Sequence, residues 1–308
     1  MTKREYCLPS RKIEQMRIAI LGLLFGLMLF PSKAQQILEV PGTRQFAQID
    51  TQGISILPSG RYVKPAGKTL RITSDPFGMA ISPDGKWAVT LHNGAFTRID
   101  LVSQTKKRFP KFGTPSKLSP YGKSSFLGVV FSSDSRHVYL SGGDAGTVLV
   151  VAIESGDLIR TFSLNGTVGN QTFDDSFTSD LTISPTQNEL LVLDRANFRM
   201  VRISLTDGKL LHSIPTGRLP FGVSLSLDQK YAFVANVGMY SYPLVEGTNL
   251  LNLKSQYIPY HPYGNDTKES REGTVIDGKK IPGLGDPRSD EAMSVFQIDL
   301  QTNKIVKK

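Results

Sequence analysis

Four stretches decide the fold: GMAISPDGKWAVTLHN (78–93), GVVFSSDSRHVYLSGG (128–143), DLTISPTQNELLVLDR (180–195) and GVSLSLDQKYAFVANV (222–237) align without a gap. Each is a short alternating apolar run, a polar turn and a second apolar run, the pattern of a β-hairpin. Their shared serines, Ser82, Ser132, Ser184 and Ser226, stand 50, 52 and 42 residues apart. A second pair of runs follows each: FTRIDLVSQTKKRF (96–109), VVAIESGDLIRTF (150–162), VRISLTDGKLLHSI (201–214) and VFQIDLQTNKIVKK (295–308). The turns between them carry Ser, Asp, Gly, Thr and Asn, as tight turns require.

Four strands per repeat, with no helical periodicity between them, predict an all-β fold and within it a β-propeller. A β-sandwich would explain the strands but not their in-phase repetition. The predicted propeller domain is 35–308, with blades at about 75–110, 126–163, 178–215 and 220–308, the last carrying an insertion over 239–293. Gly78, Gly128, Asp180 and Gly222 open the first strands, which line the crowded axis; a missing side chain there lets blades converge. Ile81, Phe131, Ile183 and Leu225 are expected between blades. Ile54–Leu57, Pro58-Ser59-Gly60 and Lys68–Ile72 match the second half of a repeat, so 53–72 is expected to form a half-blade. The first two strands that would complete it are not found before Lys308. The expected architecture is therefore four blades plus a half-blade of a larger, incomplete propeller, with a small four-bladed ring as the alternative.

Of the 308 residues 39% are hydrophobic, enough for a sizeable core, and the formal charge is +9. Six Lys/Arg against Glu5 and Glu14 place +4 of that charge in residues 1–34, leaving +5 spread without a basic run. That distribution argues against nucleic acid as a partner. Ile18–Phe30 is an apolar run of 13 residues after basic residues, followed by Pro31 and the small-x-small site Ser32-Lys33-Ala34. This is the layout of a secretory signal peptide over 1–34, too short to span a membrane well. The expected localisation is exported, periplasmic or extracellular, with no stable membrane anchor after cleavage. The single cysteine, Cys7, lies in that leader, so the rest offers no disulfide, thiol nucleophile or cysteine metal site.

Ten residues after the shared serines come His92, Gly142, Asp194 and Asn236, followed by Asn93, Gly143, Arg195 and Val237. These positions end the second strands, where loops gather on one face, and His92, Asn93, Asp194, Arg195 and Asn236 are the candidate binding residues. Turn chemistry is the competing explanation for Asn, Asp and Gly there. The insertion adds Tyr257, Tyr260, His261 and Tyr263 as candidate contacts for a partner. Asp174, Asp175 and Asp180 make an acidic patch, but six to eight oxygen ligands for Ca²⁺ are not found nearby. His92, His137, His212 and His261 have no partner at metal-ligand spacing, so no metal, cofactor or catalytic residue is assigned.

KYAFVANVG (230–238), after its Ser-x-Asp-x-Lys turn, and SPDGK (82–86) resemble the YVTN family of propeller repeats. LPSGRYVKPAGKTL (57–70) and GKKIPGLGDPRSDEAMSVFQIDL (278–300) resemble the N-terminal propeller of bacterial proteins in which such a propeller precedes an alkaline-phosphatase-like phosphoesterase domain. The resemblance covers roughly 53–308. It implies a binding or scaffold module whose partner is a protein or a C-terminal domain beyond Lys308, where phosphoesterase chemistry would lie. A propeller enzyme of the lactonase type and a structural cell-envelope protein are the alternatives.

Overall fold

The computed structural model describes residues 39–114, 118–122, 127–248 and 266–308, so the expected signal peptide lies outside the described residues. The chain divides into two compact units, Met1–Arg71 and Ile72–Lys308. In the first, β1 (Ser55–Ile56) pairs with β2 (Tyr62–Val63) around the turn at Gly60. Within 53–72, where a half-blade is expected, this hairpin is the paired structure among the described residues, and Lys68–Ile72 forms no strand. Pro65 and Gly67 follow β2 immediately, and the proline cannot donate to a ladder.

Among its described residues the second unit holds four antiparallel four-stranded sheets and two small hairpins. The first holds β3 (Gly78–Ile81), β4 (Trp87–His92), β5 (Ala95–Asp100) and β6 (Lys106–Phe109), and the second β7 (Val129–Phe131), β8 (His137–Ser141), β9 (Thr147–Ala152) and β10 (Leu158–Ser163). A small hairpin, β11 (Gly166–Val168) and β12 (Gln171–Phe173), stands in the connection to the third sheet. That sheet is β13 (Thr178–Ser184), β14 (Glu189–Asp194), β15 (Arg199–Ser204) and β16 (Leu210–Pro215). The fourth begins with β17 (Pro220–Leu225) and β18 (Tyr231–Asn236). The chain then leaves it for α1 (Lys268–Glu272), β19 (Gly273–Ile276) and β20 (Lys279–Pro282), and returns as β21 (Ser294–Asp299) and β22 (Lys304–Lys307). First strands of successive sheets neighbour one another, β3 with β7, β7 with β13 and β13 with β17. The chain is a β-propeller, with each repeat one blade.

Blades are joined by three cores. We call forward the face of a sheet that looks toward the next sheet in the chain. Trp87, Val89, Leu91 and Phe96 on the forward face of the first sheet meet Phe131, Val138, Leu140, Val151 and Ile153 of the second. Val148, Val150 and Phe162 meet Leu181, Leu190, Val192 and Ile203. Leu191, Leu193, Met200 and Ile214 meet Ala232, Val234, Ile298 and Leu300. The period-2 alternation of the strands puts one set of side chains into the core behind and the other into the core ahead, which is why both sets are apolar. Phe131, Ile183 and Leu225 join these cores as expected, whereas Ile81 points away from the second sheet and is exposed.

The glycines explain the spacing at the axis. A Cβ at Gly78 would lie 2.0 Å from the carbonyl oxygen of Leu127, and one at Gly128 would lie 2.9–3.1 Å from Leu181 and Asp180 of the next first strand. The backbones therefore touch where the side chain is missing. Gly128 N–H also donates to Ser179 O at 2.8 Å, and the Ser179 hydroxyl donates to Pro220 O at 3.0 Å, so hydrogen bonds link three consecutive first strands.

Ser-x-Asp builds the turn between first and second strands. The Ser82 hydroxyl donates to Asp84 at 2.6 Å and accepts from Trp87 N–H at 2.9 Å, while Lys86 N–H donates to Asp84 at 3.0 Å. Ser132, Asp134, Arg136 and His137 repeat the arrangement, as do Ser226, Asp228, Lys230 and Tyr231. Hydrogen bonds, first of all from these serines, hold Asp84, Asp134 and Asp228 below the usual carboxylate range. The left-handed residue that closes each turn is Gly85, Ser135 or Gln229. Outer fasteners complete the joints. Arg98 stacks on Trp87 at 4.2 Å and donates to Ile153 O and Glu154 O, Arg160 donates to Thr206 O, and Arg202 donates to Leu300 O.

Truncating a residue inside a core should cost far more than truncating one on the forward face of the fourth sheet. Leu193→Ala, fully buried, is expected to lose about 2–5 kcal/mol in urea unfolding. Val295→Ala, on that outer face and 57% exposed, should stay within about 0.5 kcal/mol. Equal losses would contradict the three-core arrangement.

Candidate functional site

The ends of the second strands and the fourth-to-first connections gather on one face of the propeller, and the sequence column His92, Asp194 and Asn236 lies there. Each of the three is buried. His92 Nδ1 is 2.9 Å from Ser74 O, and its Nε2 is within 3.0 Å of the Thr90 hydroxyl and 3.1 Å of that of Thr97. Burial, reinforced by the Arg108 charge, holds the imidazole below the usual histidine range. It is a buried strut between β4, β5 and the segment leading into β3.

Asp194 is the centre of a larger network. It faces Arg199 across the β14–β15 turn, with Nε 2.8 Å from Oδ2, and both side chains are buried. Asp194 also accepts from Phe177 N–H at 3.0 Å and the Asn197 amide at 3.0 Å. Arg199 donates onward to Leu164 O, Ser176 Oγ and Ser213 Oγ, and Phe173 lies 3.4 Å over its guanidinium. A buried ion pair stands only when its remaining donors and acceptors are met. Here they are met by the connection between the second and third blades, which the pair ties down.

Asn236 donates its amide to Val234 O and to Ser294, across the stem of the insertion, while its Oδ1 has no donor among the described residues. Asn93 is exposed beside His92, and Arg195 is half-buried with its N–H donated to Phe177 O. In the column that the sequence offers as candidate binding residues, His92, Asp194 and Asn236 are thus buried and fasten neighbouring strands and connections to one another. Asn93 and Arg195 are the more accessible members of the set. Tyr257, Tyr260, His261 and Tyr263 lie outside the described residues.

The insertion itself is built structure. α1 begins with a capping box, Thr267 and Ser270 bonding to each other's backbone N–H groups. β19 and β20 form a hairpin whose Asp277-Gly278 turn has both residues at positive φ, with Ile281 and Leu284 buried. The Asp-Gly dipeptide of VIDGKKI (275–281) is itself a hairpin-turn signal, though the residues around it do not alternate. Its seat is Arg218, which the repeat pattern could not flag. Arg218 donates from Nη1 to Met239 O and to Asp286 O, its N–H donates to Glu291 O, and its own carbonyl accepts from Gly238 N–H. One arginine in the connection before β17 holds both ends of the insertion.

Asp180 sits on the first strand of the third blade, with Oδ2 accepting Val223 N–H of the next blade at 2.9 Å; burial pushes its carboxyl up. Among the described residues no group of three or more His, Cys, Asp or Glu side chains could hold a metal ion, and no helix is long and apolar enough to cross a membrane.

No family model matches the chain. No curated protein matches it either. Among solved structures it is similar to the hydrazine synthase of Kuenenia stuttgartiensis, at 16% identity and TM-score 0.47 over 80% of this chain and 52% of that one. It is also similar to a functionally unknown protein from Desulfotomaculum acetoxidans, at 18% identity and TM-score 0.42 over 60% and 55%. A third is the set of WD40 repeats of RRP9, at 14% identity and TM-score 0.43 over 55% and 47%. The chain spans about half the length of these structures.

Two outcomes test the fasteners. Asp194→Ala strands the buried Arg199 charge and should cost about 3–5 kcal/mol in denaturant unfolding, much of it recovered when Arg199 is also replaced by Met; a loss below 1 kcal/mol would show the pair to be dispensable. For His92, the unfolded chain takes up a proton near pH 6.5 while the folded imidazole resists it. Its contribution is thus complete above that pH and lost as pH falls toward the lower folded value. His92→Gln should flatten the fall in Tm between pH 7 and 5, and an unchanged slope would contradict the assignment.

Proposed function

We propose that this chain is the binding and scaffold module of an exported protein, working through the loop-bearing face on which the insertion stands. The observation that carries this reading is the seating of that insertion. A segment of 55 residues (239–293) leaves the repeat, folds a capped helix and a hairpin among its described residues, and is gripped at both ends by Arg218. A connection that only closed a hairpin would need two to five residues. Apolar side chains at its stems, Met239, Tyr242, Leu244 and Met293, stay exposed and offer contact area for a protein partner.

Export is supported by the leader-like pattern of 1–34, and the resemblance of 57–70 and 278–300 supports a phosphoesterase domain as the partner, joined to this module in a longer functional form. The lactonase-type alternative needs carboxylates and His or Arg side chains converging on a substrate. Of the residues it would draw on, Asp180, Asp194, Arg195 and His92, three are engaged elsewhere: Asp180 with the Val223 N–H, Asp194 with Arg199 and His92 with Thr90 and Thr97.

Deleting 243–288 from the phosphoesterase-bearing form should change its kcat/KM for a bulky phosphoester, while the three blade cores keep Tm nearly constant. Unchanged kinetics with a folded protein would refute the reading. Arg218→Ala should act in the same direction and also speed hydrogen exchange across 266–293 without touching the sheets.

A further inference from the structure

The forward face of the fourth sheet is unlike the other three. Forward residues of the first three sheets are buried: Val89, Leu91 and Phe96; Val148 and Val150; Leu191, Leu193 and Met200. In register with them the fourth sheet carries Phe233, Ala235 and Val295, continued past the strand ends by Val237 and Met293. Phe233 is 37%, Val237 41%, Val295 57% and Met293 65% exposed. A contiguous apolar stripe has therefore been left on a sheet face.

A second observation is independent of exposure. Gly222 pairs with Ala235, so its missing side chain points forward, like that of Gly78, which pairs with Leu91. At Gly78 and Gly128 the space a Cβ would take is filled by the first strand of the next blade. At Gly222 the nearest atom is Asp180 Oδ2 at 3.8 Å, ordinary van der Waals contact, and its φ is not in the left-handed region. Neither crowding nor backbone conformation calls for glycine there. Glycine in an open strand position gives up packing and weakens the strand; it is suited to the close approach of another strand. Gln297 adds a third feature. It pairs with Phe233 as Arg98 pairs with Val89 and Arg202 with Leu191, and both arginines donate to carbonyls in the third-to-fourth turn of the following blade.

We propose that this face is the docking site of a fifth sheet of the same repeat, carried on a longer form of the same polypeptide. The incoming sheet lays its first strand against Gly222, its apolar backward face on Phe233 and Val295, and its outer turn within reach of Gln297. A second copy of this chain does not offer that surface. On the backward face of its first sheet Ala88, Thr90 and Thr97 are already buried, and only Met79 and Ile81 of β3 are bare. The proposal deepens the scaffold reading by naming what the module is joined through, and its test reads burial and not hydrolysis, so the two can fail separately.

With the leader removed the chain has no cysteine, so V295C introduces a single thiol reporter. The coding DNA is read past the Lys308 codon, and the extended and 308-residue products are labelled with a maleimide. The proposal expects a repeat with a Ser-x-Asp turn in frame, free labelling in the 308-residue chain, and labelling at least about tenfold slower in the extended one. G222V should leave the Tm of the 308-residue chain unchanged and lower that of the extended form. A stop codon with no in-frame repeat, equal labelling of the two products, or equal effects of G222V would each overturn it. So would protection in the 308-residue chain that disappears on dilution, which would put a second copy on the face.

Discussion

The close approach of first strands at the axis is the constraint on which the rest depends. With Gly78 against Leu127 and Gly128 against Leu181, neighbouring sheets come near enough for their forward and backward faces to interlock farther out. Dispersion and burial then act on both sides of the middle strands. Each fully buried Val or Leu there is worth about 1.5–3 kcal/mol relative to an exposed one. A side chain at the axis would wedge the sheets apart and dilute those contacts along the whole radius. The third joint solves the same problem differently: Asp180 reaches across and takes the Val223 N–H, at the cost of burying a carboxylate.

Buried and half-buried polar residues act as fasteners at both ends of the blades. On the loop-bearing face they are His92, the Asp194–Arg199 pair and Arg218; on the opposite face they are Arg98, Arg160 and Arg202. An arginine suits these places because its fork satisfies several carbonyls at once while its stem covers apolar surface. The outermost strands β6 and β22 add lysines at 106, 107, 304 and 307, side chains that discourage pairing at an open sheet edge.

How much was legible follows from the range of the interactions. Serine spacing and period-2 alternation are local, so the four sheets and the glycines at their axis could be read from Gly78, Gly128 and Ser82 outward. The pairing at Tyr62–Val63 is short and without alternation, so local pattern does not mark it. The column at His92, Asp194 and Asn236 is visible in the sequence, but the partners that each residue bonds are not. A buried fastener and a ligand contact use the same residue types, and only the partners tell them apart. Arg199 and Arg218 were invisible for the same reason, their bonds spanning 35 and 68 residues.

The most direct test of the axial constraint is the equilibrium unfolding of Gly78→Ala. At a glycine with room around it and an ordinary backbone, alanine stabilises by about 0.4–1 kcal/mol through the unfolded chain. Here the added methyl would fall 2.0 Å from the Leu127 carbonyl oxygen, so a destabilisation of about 1–3 kcal/mol or more is expected. A neutral or stabilised variant would contradict the account, because the sheets would then not be held together at their first strands.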